Sequence, residues 1–190
     1  MISMTRYFAS ASLVLLIILV LSRTFQLKRL GIQAFKFGKM DKKDYFIPPF
    51  VLLLFYIVFA SAFDLPKIGV ELFYSEFLGW VGVAICVLGI LLFIYALISF
   101  GKSFRVGLDE DHPGELVSTG AFSISRNPIY TSFGLVLIGI FLIIPNWIIL
   151  IYVFAGIWLL NRQILLEEKS LKKIYGEIYK KYCNRVRRFL

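Results

Sequence analysis

Long uncharged stretches alternate along this chain with short segments that hold most of its charge. Five stretches carry no Asp, Glu, Lys or Arg: residues 7–21, 46–63, 77–100, 129–144 and 147–160. A helix needs roughly 20 apolar residues to cross a bilayer, with a working range of about 17–25. Only Pro145 and Asn146 separate the last two stretches, which indicates a tight helical hairpin. The pattern therefore predicts an all-α integral membrane protein with five transmembrane helices.

The composition supports a membrane protein and argues against a soluble one. Of the 190 residues, 59% are hydrophobic and 17% are charged, whereas soluble domains have about half and about a quarter. The net charge is +9. All the basic residues except Arg6 and Lys67 fall in segment 22–45, segment 101–128 or the tail from 161. Because cytoplasmic segments are enriched in Lys and Arg, we expect the N-terminus outside and the C-terminus in the cytoplasm.

This placement accounts for the positive charge without nucleic acid, and the expected partner is the lipid bilayer. We interpret residues 1–190 as one membrane domain. Residues 1–94 contain spans one and two and most of span three, and 95–190 form a catalytic region. We read the first span as retained, not as a cleaved signal peptide, and segment 22–45 as an interfacial connector. The tail is predicted to be an amphipathic helix on the inner leaflet, with apolar residues every three or four positions.

Polar residues cluster in two segments, 101–130 and 161–182, which the topology places together at the mouth of the hairpin. Asn127 and Pro128 suit the start of span four, either as a helix cap alone or as a cap that also contacts an anion. Glu167 and Glu168 end span five, where the helix dipole favours cations, so a cationic ligand or Arg162 would compensate them. His112 reads as a solvated side chain. No zinc spacing, dinucleotide-binding GxGxxG or serine-nucleophile GxSxG pattern is present, and no metal is predicted.

These clusters resemble the signature of the isoprenylcysteine carboxyl methyltransferase family, whose superfamily includes phospholipid methyltransferases. The first motif reads L-V-S-T-G-A-F over 116–122 and S-R-N-P-I-Y over 125–130. The second has Arg162, then the two glutamates, and ends V-R-R-F at 186–189. The resemblance covers about residues 95–190. Asn127 stands where the family commonly has histidine, and Gly114 stands at a second common histidine position.

The resemblance implies methyl transfer from S-adenosylmethionine, leaving S-adenosylhomocysteine, to a lipophilic substrate. The cofactor pocket would open to the cytoplasm at the last helical hairpin, and the substrate would enter from the bilayer. The residues that it assigns to the cofactor are Leu116, Val117, Gly120, Phe122, Asn127, Pro128, Tyr130 and Glu167. It places Arg162 and Glu168, as catalytic residues, where the substrate head meets the methyl group.

The chemistry of the donor fits these residue types. Arg126 and the start of span four could hold its carboxylate, and the aromatic faces of Phe122 and Tyr130 could attract its sulfonium. Arg162 would orient a carboxylate acceptor, whereas Glu168 could take the proton of an amine acceptor.

Carboxyl methylation of an isoprenylcysteine-like substrate is the favoured interpretation. Methylation of a phospholipid amine is the alternative within the same superfamily. An NADPH-dependent sterol-type reductase and a non-enzymatic membrane scaffold remain as further alternatives, although such a reductase is expected to be larger and to have more spans.

Overall fold

The computed structural model of the protein describes residues 4–29, 47–101 and 116–190. Its regular elements over these residues are helical: α1 (Met4–Arg29), α2 (Ile47–Ala62), α3 (Glu76–Phe100), a short 3-10 helix (Gly120–Ser123), α4 (Pro128–Ile143) and α5 (Trp147–Arg185). Each of the five predicted spans falls on one α-helix. Most of the predicted connector 22–45, and the loop that carries His112 and Gly114, lie outside the described residues.

Three of these helices, α1, α3 and α5, are long and apolar enough to cross a membrane. The helices α2 and α4 are apolar but have only 16 residues each. In hydrocarbon every backbone N–H and C=O must be bonded internally, which a helix achieves within one segment. The all-helical architecture is thus as predicted, while the five-span topology stays a prediction.

Helices α3 and α4 form the most closely packed pair in the described structure. A Cβ atom added at Gly139 would lie 2.6 Å from Sγ of Cys86 and 2.7 Å from the carbonyl oxygen of Gly82. The Cys86 thiol also lies 3.6 Å from the carbonyl oxygen of Val136, to which it donates. Small residues let membrane helices approach closely enough for extensive van der Waals contact. This contact fixes α4, whose first residues carry the candidate site.

At the other end of the bundle, hydrogen bonds and an ion pair hold together the start of α1, the end of α2 with the loop that follows it, and the α4–α5 turn. The Arg6 guanidinium donates to Oγ of Ser61 at 2.9 Å and pairs with Glu71 at 2.8 Å. The Asn146 side chain caps α5 by accepting the Ile148 N–H, and it donates to the carbonyl oxygen of Ile68. The loop after α2 and the hairpin turn, which the sequence places on one side of the membrane, are therefore in direct contact.

Helix α5 extends far beyond the predicted span. Residues 147–175, which precede the break at Gly176, correspond to about 44 Å at a rise of about 1.5 Å per residue, about one and a half times the thickness of a hydrocarbon core. The apolar first part of α5 corresponds to the predicted span, and its charged second part continues beyond that stretch. The helical conformation breaks at Gly176, with φ 50° and ψ −120°, a region that is essentially restricted to glycine.

Part of the predicted apolar face of the tail packs against the protein, and the place of the tail on the inner leaflet stays a prediction. After the break at Gly176, the chain packs Tyr179, Tyr182 and Val186 around Leu116. Ile178, another apolar residue of the tail, is 65% exposed. The tail thus folds back onto the protein, because its aromatic residues find an apolar partner in the segment before α4.

Candidate functional site

At the start of α4, the predicted position of Pro128 is confirmed, whereas the predicted capping by Asn127 is not. Pro128 occupies the first turn, where its missing N–H is not needed. Asn127 stands at the N-cap position, but its side chain does not cap α4. Its amide nitrogen instead donates to the carbonyl oxygen of Arg188 at 3.2 Å. The expectation that the Asn127 side chain caps this helix is therefore wrong, because a distant carbonyl holds the amide.

The segment before α4 is built around the 3-10 helix. Gly120 has a φ of 61°, and a Cβ atom there would overlap Oγ of Ser99. The Ser99 hydroxyl accepts the Ala121 N–H at 2.9 Å, which anchors this segment to the end of α3. Phe122 is buried, with its ring edge-on to Phe100 at 4.8 Å between centroids. Leu116 and Val117, at the start of the segment, are half-buried.

Tyr130 and Glu167 bring the two sequence motifs into contact. The Tyr130 hydroxyl on α4 donates to the Glu167 carboxylate on α5. The Gln163 amide, one turn earlier on α5, donates to the same oxygen of Glu167 at 3.4 Å. Both of these hydrogen-bond partners are neutral, and both side chains of the pair are half-buried. The result is a carboxylate in a partly desolvated position whose described partners carry no positive charge.

Glu168, the next residue, has the opposite environment. Its side chain is 7% exposed and pairs with Arg126 at 3.5 Å and with Arg188 at 2.8 Å. Nε of Arg188 also donates to its second oxygen at 3.1 Å, so the Arg188 contact is bidentate. The hydrogen bond to Glu168 raises the pKa of Arg188 above the ordinary arginine value. Arg126 additionally donates to Sγ of Cys183.

The structure therefore assigns different surroundings to the two adjacent glutamates. The sequence suggests that Arg162 or a cationic ligand balances the negative charge of the two glutamates. In the structure, Arg126 and Arg188 balance the charge of Glu168. Arg162 is half-buried on α5, six residues before Glu168 and about 9 Å from it along the helix axis. The predicted catalytic roles of Arg162 and Glu168 stay predictions.

Several residues near this site were not assigned a role from the sequence. Tyr182 donates to the carbonyl oxygen of Phe122 at 2.6 Å, and the Ser125 hydroxyl donates to that of Arg188 at 3.2 Å. Burial raises the pKa of Tyr182 to about 12. The V-R-R-F ending of the motif contained the only signal for Arg188. Gln163 could have been found from its spacing, because it lies one helical turn before Glu167.

The residues present fit a donor that carries both a sulfonium and an amino-acid group. Glu167 offers a carboxylate to a cation, beside the aromatic ring of Tyr130. The guanidinium of Arg126 contacts Glu168 and Cys183, and its role as a carboxylate ligand stays a prediction. The start of α4 remains the candidate position for the carboxylate of the donor.

Comparison with known proteins agrees with the motif resemblance. Residues 77–178 match the family model described as phospholipid methyltransferase. A curated protein of Arabidopsis thaliana, Protein-S-isoprenylcysteine O-methyltransferase B, is 31% identical over 110 residues, covering 55% of each chain. The chain thus spans about half the length of this relative. No solved structure gives a significant match. The predicted superfamily is confirmed: the chain is an all-helical integral membrane protein that belongs to the phospholipid methyltransferase family.

Proposed function

We propose that this protein is a membrane methyltransferase that uses S-adenosylmethionine and methylates a lipophilic substrate. The contrast between the two adjacent glutamates is the observation that supports this most directly. Glu168 is compensated by two arginines, whereas the described partners of Glu167 are the neutral Tyr130 and Gln163. A half-buried carboxylate is costly to desolvate without a cation. The ammonium group of the donor, which S-adenosylhomocysteine also carries, would provide that cation.

Bound S-adenosylmethionine would supply an electrophilic methyl group, whose bond to sulfur breaks as a bond to the acceptor forms, leaving the electron pair on sulfur. The chain's contribution is to bind and orient. Glu167 and Tyr130 would hold the cationic part of the donor, and the segment 116–122 would form a wall of the pocket. Orientation and exclusion of water are effective in such a displacement, because the two reacting groups need only be held in line.

The environment of Glu168 favours a carboxylate as the acceptor. An amine acceptor must lose a proton, and Glu168 is the predicted base for that step. Both of its oxygens face guanidinium groups, from Arg126 and Arg188. A carboxylate acceptor has no proton to lose, and Arg162 would orient it through charge-assisted hydrogen bonds. We therefore propose carboxyl methylation of an isoprenylcysteine-like substrate, with phospholipid amine methylation as the alternative.

The proposed site faces the cytoplasm, with the lipid substrate entering from the bilayer. The orientation is supported by the basic residues, since Arg126 and the basic tail lie at the end of the bundle where α4 begins. Arg6 and Lys67 lie in the segments at the opposite end. The positive-inside tendency then places the α4 start and Glu167 on the cytoplasmic side.

Binding of S-adenosylhomocysteine tests the donor site. Purified protein in detergent is titrated calorimetrically as wild type, as Glu167→Gln and as Glu177→Gln. Glu177 is an exposed acid just beyond the break at Gly176, paired with Lys180 at 3.4 Å, and serves as the matched control. We expect Glu167→Gln to weaken binding about tenfold or more, the range for hydrogen bonds to charged groups. Absence of binding by the wild type would overturn the proposed function.

The acceptor is identified in a separate experiment. Membranes containing the protein are incubated with donor carrying a labelled methyl group, and the labelled product is treated with base. A methyl ester releases volatile labelled methanol, whereas an N-methyl group stays on the lipid. Thermal stabilisation by NADPH instead of S-adenosylhomocysteine would favour the reductase alternative, and labelling of neither class would favour a scaffold.

A further inference from the structure

Residues 186–190 follow α5 and lie against the start of α4; we refer to them as the C-terminal strap. The break at Gly176 turns the chain back, and Tyr182 fixes the last helical turn by its bond to Phe122. The strap lies beyond residues 77–178, the part of the chain that matches the family model. The V-R-R-F ending of the second motif lies in the strap, but that resemblance assigns no role to Arg188.

The strap binds three consecutive residues of the first motif through its backbone. The carbonyl oxygen of Arg187 accepts the Arg126 N–H at 2.9 Å. The carbonyl oxygen of Arg188 accepts the Ser125 hydroxyl and the Asn127 side-chain amide, each at 3.2 Å. The residues that lead into α4 are thus held by two adjacent carbonyl groups of the strap.

The Arg188 side chain connects the same strap to α5. Its guanidinium makes two hydrogen bonds to Glu168, at 2.8 and 3.1 Å. Glu168 also faces Arg126, at 3.5 Å. Since Glu168 is almost fully buried, its carboxylate depends on these two arginines for compensation. One residue, Arg188, therefore joins the start of α4 through its carbonyl group and α5 through its side chain.

This junction bears on Glu167 and Tyr130. Glu167 adjoins Glu168 on α5, and Tyr130 is three residues after Asn127. Fixing Glu168 against Arg126 and Arg188, and Asn127 against the Arg188 carbonyl group, therefore also sets how the Tyr130–Glu167 pair meets. We propose that Arg188 is a positioning residue of the donor site, acting through Glu168 and through Ser125 and Asn127. The proposal rests on the proposed function. Arg188 makes no contact with the reacting atoms in this assignment.

The experiment compares Arg188→Met with Arg185→Met and Arg188→Lys. Arg185 is exposed and lies three residues earlier, so its substitution removes the same charge from the same tail. S-adenosylhomocysteine affinity is measured calorimetrically, and initial rates are measured in vesicles with donor and acceptor varied separately. We expect Arg188→Met to weaken binding and to raise the KM for the donor by roughly 10- to 100-fold, the range for groups that orient ligand-binding residues.

The conservative variant distinguishes a role in positioning the donor site from a simple loss of folding. Arg188→Lys keeps one charge toward Glu168 and should recover part of the donor affinity. If Arg188→Met lowers the amount of active protein but leaves the donor affinity of the remaining protein unchanged, Arg188 is only structural and the proposal is overturned. Equal effects of Arg188→Met and Arg185→Met would also overturn it. If the wild type binds no S-adenosylhomocysteine, the proposed function itself fails.

Discussion

The close contact of α3 and α4 gives the sharpest prediction about stability. A Cβ atom at Gly139 would lie 2.6 Å from Sγ of Cys86, 2.7 Å from the carbonyl oxygen of Gly82 and 3.0 Å from the Cys86 nitrogen. Two of these three atoms belong to the α3 backbone, which cannot move without shifting the helix. Gly139→Ala should therefore push the two helices apart.

The size of the effect follows from two opposing contributions. Overpacking a close-packed core typically costs about 1–3 kcal/mol, whereas alanine is favoured over glycine in a helix interior by up to about 1 kcal/mol. Gly134 on the same helix has no atom within 4 Å of an added Cβ, so Gly134→Ala receives only the second contribution. We expect Gly134→Ala to leave the free energy of unfolding unchanged or up to about 1 kcal/mol higher, and Gly139→Ala to be about 1–3 kcal/mol less stable than Gly134→Ala.

Reversible unfolding in mixed micelles of a mild detergent and dodecyl sulfate, followed by helical circular dichroism, measures this difference. Adding Cys86→Ala removes Sγ, the closest atom, so Gly139→Ala should cost less in that background, with the Gly82 carbonyl still in place. Equal stability of the Gly134 and Gly139 variants would refute the packing argument. A Gly139 effect unchanged by Cys86→Ala would assign the whole cost to the backbone contact.

Three further predictions concern the tail and the opposite end of the bundle. Gly176→Ala should destabilise the folded tail by about 1–3 kcal/mol, because a φ of 50° disfavours any residue with a side chain. The space around Gly176 is open, so the effect comes from the backbone conformation and not from a steric clash. Faster proteolysis after residue 176 would report it. Burial raises the pKa of Tyr182 from 10 to about 12. The contribution of the neutral Tyr182 to stability is therefore present below about pH 10 and is lost as the pH rises through about 12. When unfolding is measured as a function of pH, Tyr182→Phe should lack this part of the loss of stability at alkaline pH. Arg6→Met should lower the free energy of unfolding by about 1–3 kcal/mol, because Glu71 and Ser61 lose their hydrogen-bond donor. Lys67→Met removes only an exposed ion pair at 3.9 Å and should change the free energy of unfolding by less than about 1 kcal/mol.

The positions of the helices could be predicted from the sequence because the solvent leaves the chain little choice. An uncharged stretch as long as 77–100 must satisfy its own backbone groups in hydrocarbon, and a helix does so locally. The predicted ends of this stretch and of 129–144 differ from α3 and α4 by one residue at most. Pro145 and Asn146 likewise mark the hairpin by local turn chemistry. The motif residues and their family were also readable, since each motif is recognised from the order and spacing of its residues along the sequence.

The partners of individual side chains could not be read in the same way. Asn127 has the residue type and position of a cap, yet it bonds to a carbonyl group 61 residues away. Glu167 and Glu168 are neighbours with the same chemistry, and only the folded chain gives one of them two arginines and the other neutral partners. Which of two adjacent side chains becomes paired depends on the rotation of α5, which turns about 100° per residue, and on where the strap returns. Local preferences therefore determined where the helices lie, whereas the contacts that define the site were decided by how distant segments pack against one another.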